Sequence, residues 1–122
     1  MVYDTVNGVT IVPKVWGREV WMVNRPEYCG KILEMFRDAR TSVHYHERKV
    51  ETMYCLQGAF DVKFWQNGYP GEMSHNLLEV GGSIHIPKGL IHSLVGIGLE
   101  NKLIEISTQH FDEDSIRLNK GG

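Results

Sequence analysis

Along most of this chain apolar and polar residues alternate with a period of two. Lys31-Ile32-Leu33-Glu34-Met35-Phe36 puts Lys31, Leu33 and Met35 on one face and Ile32, Glu34 and Phe36 on the other. Phe60, Val62 and Phe64 alternate in the same way with Asp61, Lys63 and Trp65. This is the period of a half-buried strand, whose successive side chains point to opposite faces. Strand character also marks residues 43–46, 51–56, the segment after Gly82, residues 92–95 and residues 102–107, and the short apolar run 77–80 completes the set. Asn7-Gly8 and Asn67-Gly68 are hairpin signals, and residues 69–76 (YPGEMSHN) read as a loop. No apolar run has a helical period long enough for a buried helix. The pattern predicts an all-β fold of about eight to ten short strands.

Length and composition narrow the class. The 122 residues suffice for one domain and one core. Residues 2–12 read as an N-terminal arm or edge hairpin, and residues 13–21 as a bend followed by strand, with Trp16 and Trp21 as core or interface anchors. The formal charge is −2, from 13 basic and 15 acidic residues spread along the chain. Without a basic stripe to track phosphates, a nucleic-acid partner is not expected. A small anionic ligand needs only one or two cations and stays open. Cys29 and Cys55 form no CxxC or secreted-type framework, no apolar leader follows Met1, and no run approaches membrane-spanning length. The expected compartment is the cytoplasm.

The chemistry concentrates in residues 44–58, HYHERKVETMYCLQG. On a strand His44 and His46 share a face while Tyr45 points away. Glu47-Arg48-Lys49 reads as a turn, after which Glu51, Met53 and Cys55 share a face of the next strand. If those two strands pair as a hairpin, two imidazoles and a carboxylate converge, and a fourth ligand has to come from elsewhere.

HxH, four residues, Glu, six residues, Gly is followed by Gly81, five residues, Pro87, one residue, Gly89, two residues, His92. This two-part pattern resembles the cupin superfamily. The resemblance implies a jelly-roll (double-stranded β-helix) barrel and one divalent metal ion bound by His44, His46, Glu51 and His92. Histidine and glutamate suit zinc, manganese, iron, nickel and cobalt alike.

The flanks are more specific. Residues 15–19 (VWGRE), Lys31-Ile32-Leu33, residues 103–108 (LIEIST) and residues 111–118 (FDEDSIRL) are similar to the cupin of type II mannose-6-phosphate isomerases, with the barrel at 14–118, the arm at 1–13 and a tail at 119–122. That likeness implies aldose–ketose isomerisation of a sugar or sugar phosphate. Glu105 is then the candidate for proton transfer and Lys31 for charge stabilisation. Lys88, in Pro-Lys-Gly at the expected cavity mouth, and His85 are candidates for substrate binding. Small cupins have sheet edges that a partner's arm can cover, so a homodimer is expected.

Three departures keep other classes open. His44 stands where those isomerases commonly have Gln, Ser93 where they often have Arg, and Gly96 where the general motif has Asn. The third imidazole favours a mononuclear iron or manganese oxygenase, and the absent Arg a non-catalytic sugar-binding cupin. His75 and His110, in loop-like sequence, receive no role.

Overall fold

The computed structural model describes residues 8–122. Its strands are β1 (Thr10–Lys14), β2 (Gly17–Asn24), β3 (Cys29–Phe36), β4 (Val43–His46), β5 (Glu51–Gln57), β6 (Ala59–Trp65), β7 (Ser74–Glu79), β8 (Ser83–Ile86), β9 (Ile91–Gly96), β10 (Glu100–Ser107) and β11 (Ser115–Asn119), with a 3-10 turn at Asp112–Asp114. They form two antiparallel sheets, ordered β1-β2-β3-β10-β5-β8 and β11-β4-β9-β6-β7. The expected all-β jelly roll is what the chain folds into. No helix among the described residues is long and apolar enough to cross a membrane.

Strand alternation divides the space between the sheets into two halves. Leu33 and Met35 of β3, Met53 and Cys55 of β5, and Leu103 of β10 face Phe60, Val62 and Phe64 of β6 and Leu94 of β9, all buried in one cluster. Burying each such side chain is worth about 1.5–3 kcal/mol, so this half holds the sheets together. The same faces continue into Lys31, Glu51 and Glu105 at the other end, where buried polar groups replace apolar ones. Glu105 lies across the ladders from both Lys31 and Met53, while Leu103 lies across from Leu33 and Cys55. One register therefore builds the core and the polar end together. Asn101 links the sheets at the apolar end, accepting from the Ala59 and Gly98 amides and donating to the Met35 and Gly98 carbonyls. Gly58, with φ of 71°, turns β5 into β6 where a Cβ would collide with Asn101.

Several expectations from the alternation need correction. Ser74, His75 and Asn76 are not loop: they pair with Phe64, Lys63 and Val62 as the start of β7. Their polarity reflects an edge strand with a solvated face, a pattern that a loop also gives. β11 was not among the expected strands, and its Ile116 and Arg117 pair with Tyr45 and His44. Pro13 lies within edge strand β1, where a missing N–H breaks no ladder, and the bend falls at Val15 and Trp16. Trp16 is buried in the core. The Asn7-Gly8 hairpin expectation falls partly outside the described residues.

The largest correction concerns β4 and β5, which do not form a hairpin. β4 pairs with β11 and β9, while β5 pairs with β10 and β8 in the opposite sheet. Asp114 accounts for the crossing. Its buried carboxylate accepts the backbone N–H groups of Glu47, Arg48 and Lys49 at 3.0, 3.0 and 3.1 Å. With its amides satisfied from the side, the connection spans the sheets instead of closing a two-strand ladder.

Candidate metal centre

His44 and His46 extend from β4 and His92 from β9. His44 lies directly across the ladder from His92, which brings together histidines far apart in sequence. Ring centroids are 4.4 Å apart for His44 and His92, 5.1 Å for His44 and His46, and 5.9 Å for His46 and His92. One ring nitrogen of each lies within 4.8 Å of the other two.

Each ring is held from behind. His44 Nδ1 is 2.8 Å from the Ser42 carbonyl, His92 Nδ1 is 2.8 Å from the Leu90 carbonyl, and His46 Nδ1 is 3.2 Å from the Asp114 carbonyl. A carbonyl only accepts, so Nδ1 carries the proton in all three rings and the Nε2 lone pairs face inward. Burial and then the neighbouring His92 hold His44 down to about 3, and burial and then Lys49 hold His46 down to about 4. Both are neutral at pH 7, the form that coordinates a metal.

Glu51 reaches the same point from the opposite sheet, and this, not a hairpin, is how the carboxylate meets the imidazoles. Its Oε1 is 3.2 Å from His92 Nε2 and its Oε2 is 3.8 Å from His46 Nε2. Burial opposes its charge, yet the Lys49 ammonium, 3.1 Å from Oε2, holds the carboxyl well below the usual range.

Lys49 is the site residue that the sequence marks least, since Glu47-Arg48-Lys49 reads as a turn. It is 3% exposed, and its Nζ lies 3.1 Å from both Glu51 Oε2 and Glu105 Oε2. Burial opposes its charge, but Glu105 and Glu51 raise its pKa above the ordinary value. Glu105 is itself pushed up, first by burial and then by Glu51. Beyond Glu105, Lys31 Nζ lies 3.6 Å from Glu19 Oε1 and 4.3 Å from the centre of the Trp21 ring, whose N–H donates to Glu19 at 2.8 Å. His110 joins the chain, with Nδ1 3.4 Å from Lys49 Nζ and Nε2 2.9 Å from Asp112. The parity of β2 puts Glu19 and Trp21 on one face; nothing in the sequence marks Lys49 as buried or His110 as half-buried.

These groups line a cavity of about 770 Å³ that includes His44, His46, Glu51, Lys31, Lys49 and Glu105. The volume suits a small molecule. Lys88 and His85 are not among its lining residues. β8 turns Ile86 inward, so its neighbour His85 is exposed on the outer face, 3.4 Å from Thr52 Oγ1. Lys88 is exposed in the turn that donates the Gly89 amide to the His46 carbonyl. The expectation that either lines the cavity is corrected accordingly.

The family model described as Cupin matches residues 32–119. The chain belongs to the cupin family. A search of curated proteins finds no significant match. Among solved structures, this cupin is similar to the capsular polysaccharide assembling protein CapF from Staphylococcus aureus, with 16% identity, a TM-score of 0.82, and coverage of 95% of this chain and 33% of that one. It is also similar to a variant of Bacillus subtilis oxalate decarboxylase, with 15% identity, a TM-score of 0.77, and coverage of 95% and 34%. Mn(II) centres are described for that decarboxylase. KdgF from Halomonas sp. matches with 20% identity, a TM-score of 0.68, and coverage of 91% and 87%. This cupin therefore spans about a third of the first two proteins and most of the third, and at these identities the likeness is one of fold.

The donor set of this cupin fits a divalent cation on its own chemistry. Glu51 Oε1 and Oε2 and His92 Nε2 are buried without a hydrogen-bond partner, Oε2 being in ion-pair contact with Lys49 at 3.1 Å. An unsatisfied buried polar group costs about 1–3 kcal/mol, and a cation bound among these atoms removes that cost.

Proposed function

We propose that this cupin holds one divalent metal ion through His44, His46, Glu51 and His92 and acts on a small sugar or sugar phosphate as an aldose–ketose isomerase, as its likeness to the mannose-6-phosphate isomerase cupins implies. The observation that carries the reading is the buried Glu105–Lys49 pair in the cavity wall, linked to Glu51. Isomerisation moves a proton between adjacent carbons, so a group in the wall must take that proton and return it. Glu105 meets the requirement. Its pKa is raised, its Oε2 is fixed by Lys49, and its Oε1 has no hydrogen-bond partner among the described residues. Lys31, steadied by Glu19 and Trp21, faces the same cavity and can donate to a substrate oxygen. When bound, the metal supplies Lewis-acid polarisation of substrate oxygens.

Metal-loaded protein in deuterated water is expected to interconvert a hexose, pentose or heptose phosphate with solvent deuterium entering at the exchanging carbon. Glu105→Gln should slow that conversion about 10²- to 10⁴-fold with metal content unchanged. Conversion of none of these sugars by fully loaded protein would contradict the reading.

The third imidazole, His44, favours a second reading, a mononuclear iron or manganese oxygenase, which oxygen uptake by the iron-loaded protein selects. Tight sugar binding without turnover selects instead a binding cupin. The exposed edge at β1, with Val9 and Ile11 in solvent, supports a homodimer. Light scattering at micromolar concentration checks it, and a monomer mass overturns it.

A further inference from the structure

The cations that line the cavity fall into two groups. Lys31 and Lys49 are buried and paired with carboxylates. Arg117 and Lys120 also line the cavity, but they are exposed and neither makes a hydrogen bond or ion pair with any described residue. Lys14 is an intermediate case, its charge acting on Glu19 and Asp112. The lining thus holds five cations, Lys14, Lys31, Lys49, Arg117 and Lys120, against four carboxylates, Glu19, Glu51, Glu105 and Asp112. A chain of net charge −2 therefore encloses a cavity whose lining leans positive, and a bound divalent cation strengthens that sign.

The two unpaired cations are also held in place. Arg117 lies directly across the ladder from His44, so their Cβ atoms are about 4.5–5.5 Å apart and on the same side of the sheet. The register shifts between Arg117 and Asn119, a bulge of the kind that re-aims side chains beside active sites. Lys120 is not on a loose tail. Gly122 and Arg40 exchange backbone hydrogen bonds at 2.7 and 2.9 Å, and a Cβ on Gly121 would meet the Arg40 carbonyl at 2.6 Å. Residues 121 and 122 are thereby held against residues 40–42, next to the Ser42 carbonyl that orients His44.

We propose that Arg117 and Lys120 form an anion subsite at the cavity mouth, and that the substrate is a polyol bearing one phosphoryl or carboxylate group, with the anion on these two residues and the reacting carbons beside His44 and Glu105. The guanidinium offers a planar fork for two oxygens and the ammonium a point charge, a pair suited to either anion. The subsite replaces the contact expected from Lys88, which lies elsewhere. The inference rests on the isomerase reading for the sugar but not for the anion.

Calorimetric titration of the metal-loaded protein with a hexose 6-phosphate, a hexuronate and the neutral hexose tests the proposal, alongside the Arg117→Gln/Lys120→Gln double variant. The anionic sugars should bind about tenfold or more tightly than the neutral one, the effect of one hydrogen bond to a charged group. In the double variant their affinity should fall to the neutral sugar's level with metal content unchanged, and the tighter of the two identifies the anion. Anion-dependent binding that the variant loses, without turnover, keeps the subsite and removes the isomerase reading. Turnover of a neutral hexose as efficient as that of its phosphate keeps the reading and removes the subsite. Unchanged anion affinity in the double variant, or no binding of any of the three sugars, overturns the proposal.

Discussion

Lys49→Met is expected to destabilise the fold by about 3–5 kcal/mol, the cost of removing one partner from a buried charge network. Lys49 is the cation shared by Glu51 and Glu105, 3.1 Å from each, and all three side chains are nearly inaccessible to solvent. Without it, two carboxylates of like charge are left in a region that water barely reaches, and both must be desolvated without compensation. Methionine keeps most of the volume, so the loss reports charge and not a cavity. Adding Glu105→Gln should recover part of the loss by removing one of the two charges. A divalent cation should recover another part, because it restores positive charge beside Glu51. Urea unfolding gives the answer directly: a change below about 1 kcal/mol would mean that Lys49 adds only what an exposed ion pair does.

The second large effect is expected at His92. This side chain is 0% exposed, with Nδ1 committed to the Leu90 carbonyl and Nε2 facing Glu51 and the other two rings. Replacing it by alanine removes a donor that no neighbouring group can supply. Loss of a partner that merely orients a ligand lowers metal affinity about 10- to 100-fold, so loss of the ligand itself should exceed about a hundredfold. The effect is also readable as stability. A cation at a hundred times its dissociation constant stabilises the wild type by about 2.7 kcal/mol, and the same concentration should give His92→Ala less than half of that. The substitution also removes the Nδ1 bond to Leu90 and leaves a cavity, so the metal-induced gain is read against each protein's own apo form. Equal metal-induced stabilisation of both proteins would place the ion elsewhere.

The two halves of the interior differed in how far the sequence revealed them. The alternation of Leu33 and Met35, or of Phe60, Val62 and Phe64, is decided locally by burial, and strand identity followed from it. The spacing of His44, His46 and His92 likewise marked three side chains that do meet. Partner choice was less accessible, because no local signal says whether the four-residue connection 47–50 closes a hairpin or crosses to the other sheet. That choice was made by Asp114, remote in sequence, whose carboxylate takes the amides of Glu47, Arg48 and Lys49. The same contact explains why Lys49 went unnoticed: a charged triplet reads as solvated until its backbone is known to be anchored. Arg117 and Lys120 were hidden for a related reason, since their place at the cavity depends on β11 pairing with β4 and on the Gly122 contact with Arg40.

Cobalt titration of the metal-free protein, followed through ligand-field absorption, tests the metal centre most directly. The arrangement of His44, His46, Glu51 and His92 predicts a visible band that rises linearly and breaks at one equivalent of cobalt per chain, with that band lost in His92→Ala. A titration with no break, or a band that persists unchanged in the variant, would contradict the assignment of these four residues as a metal site.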